Sequence, residues 1–469
     1  VIFEGAVMCD LNSEARTPPN GLYHFIWRWH FYAGLVVAPF LIILALTGAI
    51  YLFKNELEGV LYRDIVHVAP VASPTPVSAQ EAAVLNAYPG ATITSYVAPL
   101  ANDRAAEWAI TTSDGARLAV FTNPAEATLT GAIDADTRVM ALVSEIHGEL
   151  LLGRTGDWLV EFAGCWAFVL LVTGIFLWWP RKGRKAGVIA PRINAKGRGF
   201  WRDLHAVPAA WNAPIIAFLI LTGLPWSGFW GENLAKLGTI SLLSSTMAPS
   251  PNFRAPPNAP PHAQHEHTTL EHNPDASNLP WSVRHVALPT VAHSSTRVGI
   301  DQLIALADAR GVNAPGLRIL FPRAPDGVVT LSYVPQTAQG QRTVHIDPRN
   351  GAIVQDIAWA QYSALGKVVE FGVETHMGKQ FGLVNQLLML TSCALLIFTV
   401  CFGIVMWWTR RPAGRIGAPP APDNFRPGWP IIAIAIVLGV LFPLVGASML
   451  LIVAIEFVSA RLWRRRSGA

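Results

Sequence analysis

Charge is scarce in this sequence. Of its 469 residues, 14% are Asp, Glu, Lys or Arg and 52% are hydrophobic, a balance that excludes an ordinary soluble domain. Cysteine is scarcer still: Cys165, Cys393 and Cys401 fall inside apolar runs and Cys9 lies near the start, so no disulfide framework is expected. No G-x-G-x-x-G follows a strand-like run, which removes a built-in flavin or nicotinamide domain. A cleavable signal is not expected before the first long apolar run, and nothing points to a nucleic-acid partner.

What the sequence has in quantity is apolar length. Runs at about 31–53, 158–179, 211–230, 384–408 and 430–458 approach or exceed the ~20 residues that span ~30 Å of hydrocarbon. Arg181, Lys182, Arg184, Lys185, Arg192, Lys196, Arg198 and Arg202 crowd one short loop, and Arg410, Arg411 and Arg415 follow the fourth run. Both clusters are expected inside the cell, giving an in–out–in–out–in course with polar segments 60–146 and 231–375 outside. Trp178, Trp179, Trp407 and Trp408 stand just before the basic clusters, where an aromatic belt anchors spans in the interface.

The two halves share a register. Eighteen positions separate His30 from Gly48 (48 − 30) and His205 from Gly223 (223 − 205), and both glycines follow threonine, Thr47 and Thr222. Gly153, Gly174, Trp178 and Arg181 follow His147 at the offsets at which Gly382, Gly403, Trp407 and Arg410 follow His376. Each half reads as span, external module, span, and two spans per half give parallel repeats about an axis along the membrane normal. The second half is longer by an irregular Pro- and His-rich insertion at about 231–284.

The external sequence reads as a small α+β module in each half. Residues 77–88 and 299–310 have helical spacing, and 91–99, 107–112, 117–122, 317–321, 328–334 and 343–346 read as strands, with equivalent turns at Asn123-Pro124 and Asp347-Pro348. The fifth apolar run is too long for one upright helix and Pro443 interrupts it; a single crossing and a kinked hairpin both fit.

The expected fold is therefore an α-helical polytopic membrane protein built of two parallel repeats with small α+β modules, plus a C-terminal apolar helix or hairpin. Its divisions are a tail (1–22), a first span (23–56), module 1 (57–146), a second span (147–180), a basic loop (181–202), a third span (203–230), the insertion (231–284), module 2 (285–375), a fourth span (376–409), a loop (410–428), the fifth span or hairpin (429–460) and a basic tail (461–469).

A normal axis keeps depth unchanged, so it pairs His30 with His205 and His147 with His376. Two imidazoles from facing helices are what a bis-histidine haem iron needs, so two b-type haems are expected, and the lack of any C-x-x-C-H argues against covalent attachment. Interfacial helix-capping histidines are the plain alternative, and zinc or copper a third, though no carboxylate or thiolate accompanies the pairs. Arg28 and Arg202 stand near their histidines and suit haem propionates or membrane anchoring equally; Arg154 and Lys379 are weaker outer counterparts. His147 lies far above the span unless the chain breaks near Gly153, Gly156 and Asp157. In the insertion His262, His265 and His267, with His272 beyond, read as a solvated linker or as a transient copper, zinc or iron site.

At Trp29-His30-Phe31-Tyr32-Ala33-Gly34-Leu35, Thr47-Gly48, Ile146-His147-Gly148, Leu177-Trp178-Trp179-Pro180-Arg181, Asp203-Leu204-His205 and Met406-Trp407-Trp408, over roughly residues 22–460, the chain resembles the PepSY-associated transmembrane family. The resemblance implies an inner-membrane ferric-siderophore reductase with two haems on His30, His147, His205 and His376 and PepSY modules in the periplasm; Met377 departs from the glycine that follows His147. It implies electrons entering inside, from quinol or a separate cytoplasmic reductase, and leaving to a ferric siderophore or other ferric chelate outside. Two other classes stand beside it: a non-redox membrane protein regulating a partner through its modules, and a metal transporter, whose spans would carry only Glu161 and Glu456 as carboxylates.

Overall fold

The computed structural model describes residues 21–180, 187–231, 233, 279–284, 289–291, 297–313, 315–409, 411 and 428–467. The α-helices in chain order are α1 (Gly21–Tyr51), α2 (Lys54–Leu61), α3 (Arg63–Val66), α4 (Val77–Ala87), α5 (Val139–Glu149), α6 (Gly153–Trp178), α7 (Arg198–Gly223), α8 (Trp281–Arg284), α9 (Ile300–Asp308), α10 (Ala364–His376), α11 (Gly382–Trp408), α12 (Trp429–Leu441) and α13 (Pro443–Ser467). The strands are β1 (Thr92–Val97), β2 (Ala106–Thr111), β3 (Arg117–Asn123), β4 (Thr128–Asp134), β5 (Leu317–Leu320), β6 (Val329–Tyr333), β7 (Arg342–Ile346) and β8 (Ile353–Ala358).

Among the described residues, α1, α6, α7 and α11 are the helices long and apolar enough to cross a membrane. They form a ring in which α1 and α7 each pack against both α6 and α11, so α1 and α7 face each other diagonally. The polar ends of the second and fourth spans do not continue straight. Leu150, Leu151 and Gly153 take left-handed φ values of 52°, 58° and 55°, and Gly378 and Gly382 take 76° and 59°. The two leucines cost on the order of 1–2 kcal/mol each in that region, and what they gain is direction. They fold α5 back against α1 and α6, while α10 lies against α7, and His147 and His376 thereby reach the bundle.

The strands make one antiparallel sheet in the order β4-β3-β2-β1-β5-β6-β7-β8. Two separate modules are expected from the sequence; here the halves join through β1 and β5, pairing Ser95 with Leu320, Tyr96 with Ile319 and Val97 with Arg318. The join removes two edges whose backbone groups would otherwise lack partners. The expected strands omit β4 and β8, the outermost pair, because their partial exposure leaves weak alternation. Trp108, Ile110, Val120, Ile319, Leu331, Val344 and Ile346 point from one sheet face into a core closed by Val84 of α4 and Leu303 and Ala307 of α9. The other face looks toward the bundle.

The fifth apolar run is a hairpin. Gly439 and Gly446 touch across the turn, whereas seven residues of straight helix would separate them by ~10.5 Å. Phe442 and Val445 at the turn bury themselves beside Trp166 and Phe168 of α6. Trp166 Nε1 donates to Ser448 Oγ at 3.1 Å, and Trp230 Nε1 to the Leu441 carbonyl at 3.2 Å.

Candidate functional site: two histidine pairs in the bundle

His30 on α1 and His205 on α7 meet across the bundle with ring centres 6.4 Å apart and planes at 84°. Two metal–imidazole bonds of ~2.0–2.1 Å, with roughly 1.1 Å from each nitrogen to its ring centre, add to about 6.3 Å. The ring-centre spacing is close to that sum.

The hydrogen bonds decide which nitrogen is free. The Thr173 hydroxyl donates its one proton to the Val169 carbonyl at 2.7 Å, so toward His30 Nδ1, at 2.9 Å, it accepts. Likewise Thr47 donates to the Ile43 carbonyl at 2.7 Å and accepts from His147 Nδ1 at 2.9 Å. Thr222 donates to the Phe218 carbonyl at 2.8 Å and accepts from His376 Nδ1 at 2.8 Å. His205 Nδ1 donates to the Thr399 carbonyl at 2.8 Å. All four imidazoles therefore carry the proton on Nδ1 and leave the Nε2 lone pair free, the state and orientation a metal-ligating histidine has.

The recurring glycines explain themselves here. A Cβ on Gly48 would lie 3.3 Å from His147 Cε1, on Gly174 3.2 Å from His30 Cε1, on Gly403 3.2 Å from His205 Nδ1, and on Gly223 3.8 Å from His376 Cε1. Each is the floor on which one imidazole rests. His147 and His376 lie close enough to interact electrostatically. All four histidines line one continuous cavity of about 3340 Å³, several times the ~300–1,000 Å³ of ordinary small-molecule pockets.

Arg202 lines this cavity, its guanidinium held by Asp203 at 2.7 Å, and Arg192 reaches the same carboxylate at 2.6 Å. Arg28 stands over the Tyr32 ring, 5.6 Å from its centre, and is not part of the cavity lining. Arg154 lies over Trp158 and Lys379 pairs with Glu374 at 3.5 Å. His262, His265, His267 and His272 lie outside the described residues, as does the Glu456 side chain. Glu161 is buried in α6, accepting from the Phe229 and Trp230 backbone amides at 2.9 Å, while Asp157 one turn earlier accepts from Gly228 at 3.0 Å. The intramembrane carboxylate thus caps the segment after α7 through one oxygen while lining the cavity.

Toward the sheet, Arg138 at the start of α5 grips Glu58 of α2 at 2.8 Å and Glu107 of β2 at 2.9 Å, tying the His147 helix to the sheet. Burial opposes the charge on Glu107, but Arg138 beside it outweighs burial and holds the carboxyl below its usual range.

Sequence reasoning missed Thr173 and Thr399. Their counterparts by register are Phe402 and Leu170, so the repeat gives no signal for them. Thr47 and Thr222 do recur and could have been read as ligand-orienting hydroxyls.

The family model for the PepSY-associated TM region matches residues 27–410. The chain belongs to that family. A search of curated proteins found none that matches. As a PepSY-associated protein it is a membrane protein with a sheet domain joined to its spans, and the matched region includes all four histidines.

Proposed function

We propose that this PepSY-associated protein carries electrons across the membrane through two b-type haems and reduces a ferric chelate, such as a ferric siderophore, beside its sheet. The single observation that carries the reading is the set of four imidazoles with Nδ1 committed and Nε2 free, one pair at the 6.4 Å spacing of bis-histidine ligation. His30 and His205 would hold one haem and His147 and His376 the other. Bis-histidine haem supplies one-electron chemistry without an open coordination position.

The residues set the geometry of transfer. The Thr47, Thr173 and Thr222 hydroxyls and the Thr399 carbonyl keep the tautomers, and the glycines leave room for the rings. Eighteen residues of α1 between His30 and Gly48 set the two levels roughly 27 Å apart. Arg192 and Arg202 place positive charge at the end of the cavity away from the sheet, where guanidinium groups suit propionates. Reducing iron(III) to iron(II) weakens its hold on hard oxygen ligands and frees it from its carrier.

The matched histidine, threonine and glycine contacts and the mirror-like strand order support parallel repeats. On this reading the protein sits in the inner membrane with the sheet in the periplasm, and electrons come from quinol or a cytoplasmic reductase.

The test is the absorption spectrum of the detergent-purified protein, oxidised and dithionite-reduced, with a pyridine haemochrome count. Two low-spin b-type haems per chain are expected, together with dithionite-dependent reduction of a ferric chelate. A colourless protein from haem-replete cells would sink the reading.

A further inference from the structure

Glu161 is a buried acid that the repeat does not require. It lies 14 positions after His147 (161 − 147), where the second half has Leu390, 14 after His376 (390 − 376). Glu161 is 2% exposed and lines the cavity. One of its oxygens is used: Oε2 accepts from the Phe229 and Trp230 amides at 2.9 Å each, whereas Oε1 has no hydrogen-bond partner. Ser227 stands beside the carboxyl, but its hydroxyl donates its one proton to the Leu224 carbonyl at 2.8 Å and so presents a lone pair to Glu161. A lone pair repels a carboxylate and accepts from a carboxylic acid, and a turn of the hydroxyl reverses that preference. The site therefore accommodates both states of the acid.

Its depth is near that of the outer histidines. Gly174, the floor of His30, lies 13 residues further along α6 (174 − 161), roughly 20 Å toward the inner level. The amides that hold Oε2 follow Gly223, the floor of His376, by six and seven residues. Few titratable groups face it. On α6, Asp157 one turn outward acts on it electrostatically, Cys165 one turn inward is fully buried, and Arg154 at the helix start lies over Trp158. On α5, which also carries His147, Glu149 interacts with Glu145 and Asp157. The outer halves of α1 (38–51) and α7 (210–223), which pack against α6, bring only the Tyr51 phenol, and residues 443–455 of α13 bring none. Among the described residues no cation pairs with Glu161. A proton is what remains to neutralise it.

We propose that Glu161 is a redox-linked proton acceptor, taking up one proton as the outer histidine pair gains one electron and releasing it as that electron leaves. The inference rests on the haem reading above. One electron turns iron(III) to iron(II) at the level of His147 and His376, while one proton, entering from solvent by the cavity, turns the Glu161 carboxylate into the acid. Passing the electron to a ferric chelate returns the proton to solvent. An electron added inside a low-dielectric bundle raises the cost of a carboxylate charge nearby, and protonation removes that charge. Acids that face the interior of a bundle serve proton relays on the same grounds.

The experiment is a spectroelectrochemical titration of the haem-loaded, full-length protein in detergent between pH 6 and pH 8, repeated in a His205→Ala background that keeps only the outer pair. The outer midpoint potential is expected to fall as pH rises, by up to about 59 mV per tenfold drop in proton concentration, the one-electron equivalent. Glu161→Gln keeps the cap, because its amide oxygen still accepts from Phe229 and Trp230, and it takes up no proton; its potential should stay flat at the low-pH value of the wild type. Reduced-minus-oxidised infrared spectra should show a carboxylic C=O stretch gained in the wild type and absent in Glu161→Gln. A flat wild-type potential with both haems bound overturns the proposal and leaves the haem reading standing. A slope or infrared band that survives in Glu161→Gln places the proton elsewhere and overturns it too. A colourless protein fails the haem reading first, and this inference with it.

Discussion

Within the bundle the two halves place matched histidines against matched glycines; beneath the sheet the matched positions differ in kind. His147 and His376 meet Thr47 and Thr222 alike, and His30 and His205 rest alike on Gly174 and Gly403, although their Nδ1 partners, the Thr173 hydroxyl and the Thr399 carbonyl, differ. On the sheet underside, Ala119 and Phe121 stand where Thr343 and His345 stand in the second half, as their pairing with β2 and β6 shows. The difference teaches that the bundle repeats the close approach of an imidazole to a helix backbone in both halves, whereas a sheet face needs only to be filled or satisfied, and each half does so differently.

The largest effects should come from the matched part. His205→Ala and His376→Ala are each expected to remove about one of two haems, by haemochrome count. If one substitution removed both and the other none, the levels would not be equivalent.

Next come the cores that both halves share. Trp108 is fully buried and its Nε1 donates to Thr122, which donates to Gln80. Trp108→Ala should cost about 3–5 kcal/mol, read as a lower unfolding temperature of the sheet. Because β1 and β5 join the halves, both should melt together; separate transitions would show them to be independent.

The glycines sharpen the comparison inside the bundle. Gly174→Ala and Gly403→Ala each put a carbon 3.2 Å from an imidazole and should cost about 1–3 kcal/mol by overpacking, with weakened haem retention. Gly223→Ala meets His376 at 3.8 Å, an ordinary contact, and should be neutral or stabilising by up to about 1 kcal/mol. Equal losses at all three would refute the stated fit.

The smallest effect tests the unlike part. His345 is buried, bonds Thr330 Oγ1 at 2.9 Å, and burial lowers its pKa from 6.5 to about 4. The unfolded chain then binds a proton that the folded one refuses between those values, so stability is full above pH 6.5 and falls as pH drops toward 4. The slope is at most about 1.4 kcal/mol per pH unit. His345→Phe, which installs the first half's residue, should flatten that slope in thermal melts from pH 7 to pH 5; an unchanged slope would assign it to other groups.

The histidine register was legible because a repeated contact of side chain with glycine leaves repeated letters. Thr173 and Thr399 were not, because one serves through a hydroxyl and the other through its backbone, and the matched letters are Phe402 and Leu170. Pro443 marked the break in the last run, but its direction depended on Trp166 and Phe168 being there to receive Phe442. Glu161 read as an isolated intramembrane acid until the backbone amides of Phe229 and Trp230 supplied its partners.

By itself the sequence determined the spans, the pairing register of the histidines and the family, because these follow from hydropathy and the spacing of letters along one chain. The tertiary structure alone decided that β1 and β5 fuse two modules into one sheet, that the last run turns back, and that His30, His147, His205 and His376 each commit Nδ1 to a hydrogen bond. Each of those depends on a hydrogen bond or contact between residues far apart in sequence, and periodicity carries no record of which distant partner a backbone amide or a ring nitrogen meets.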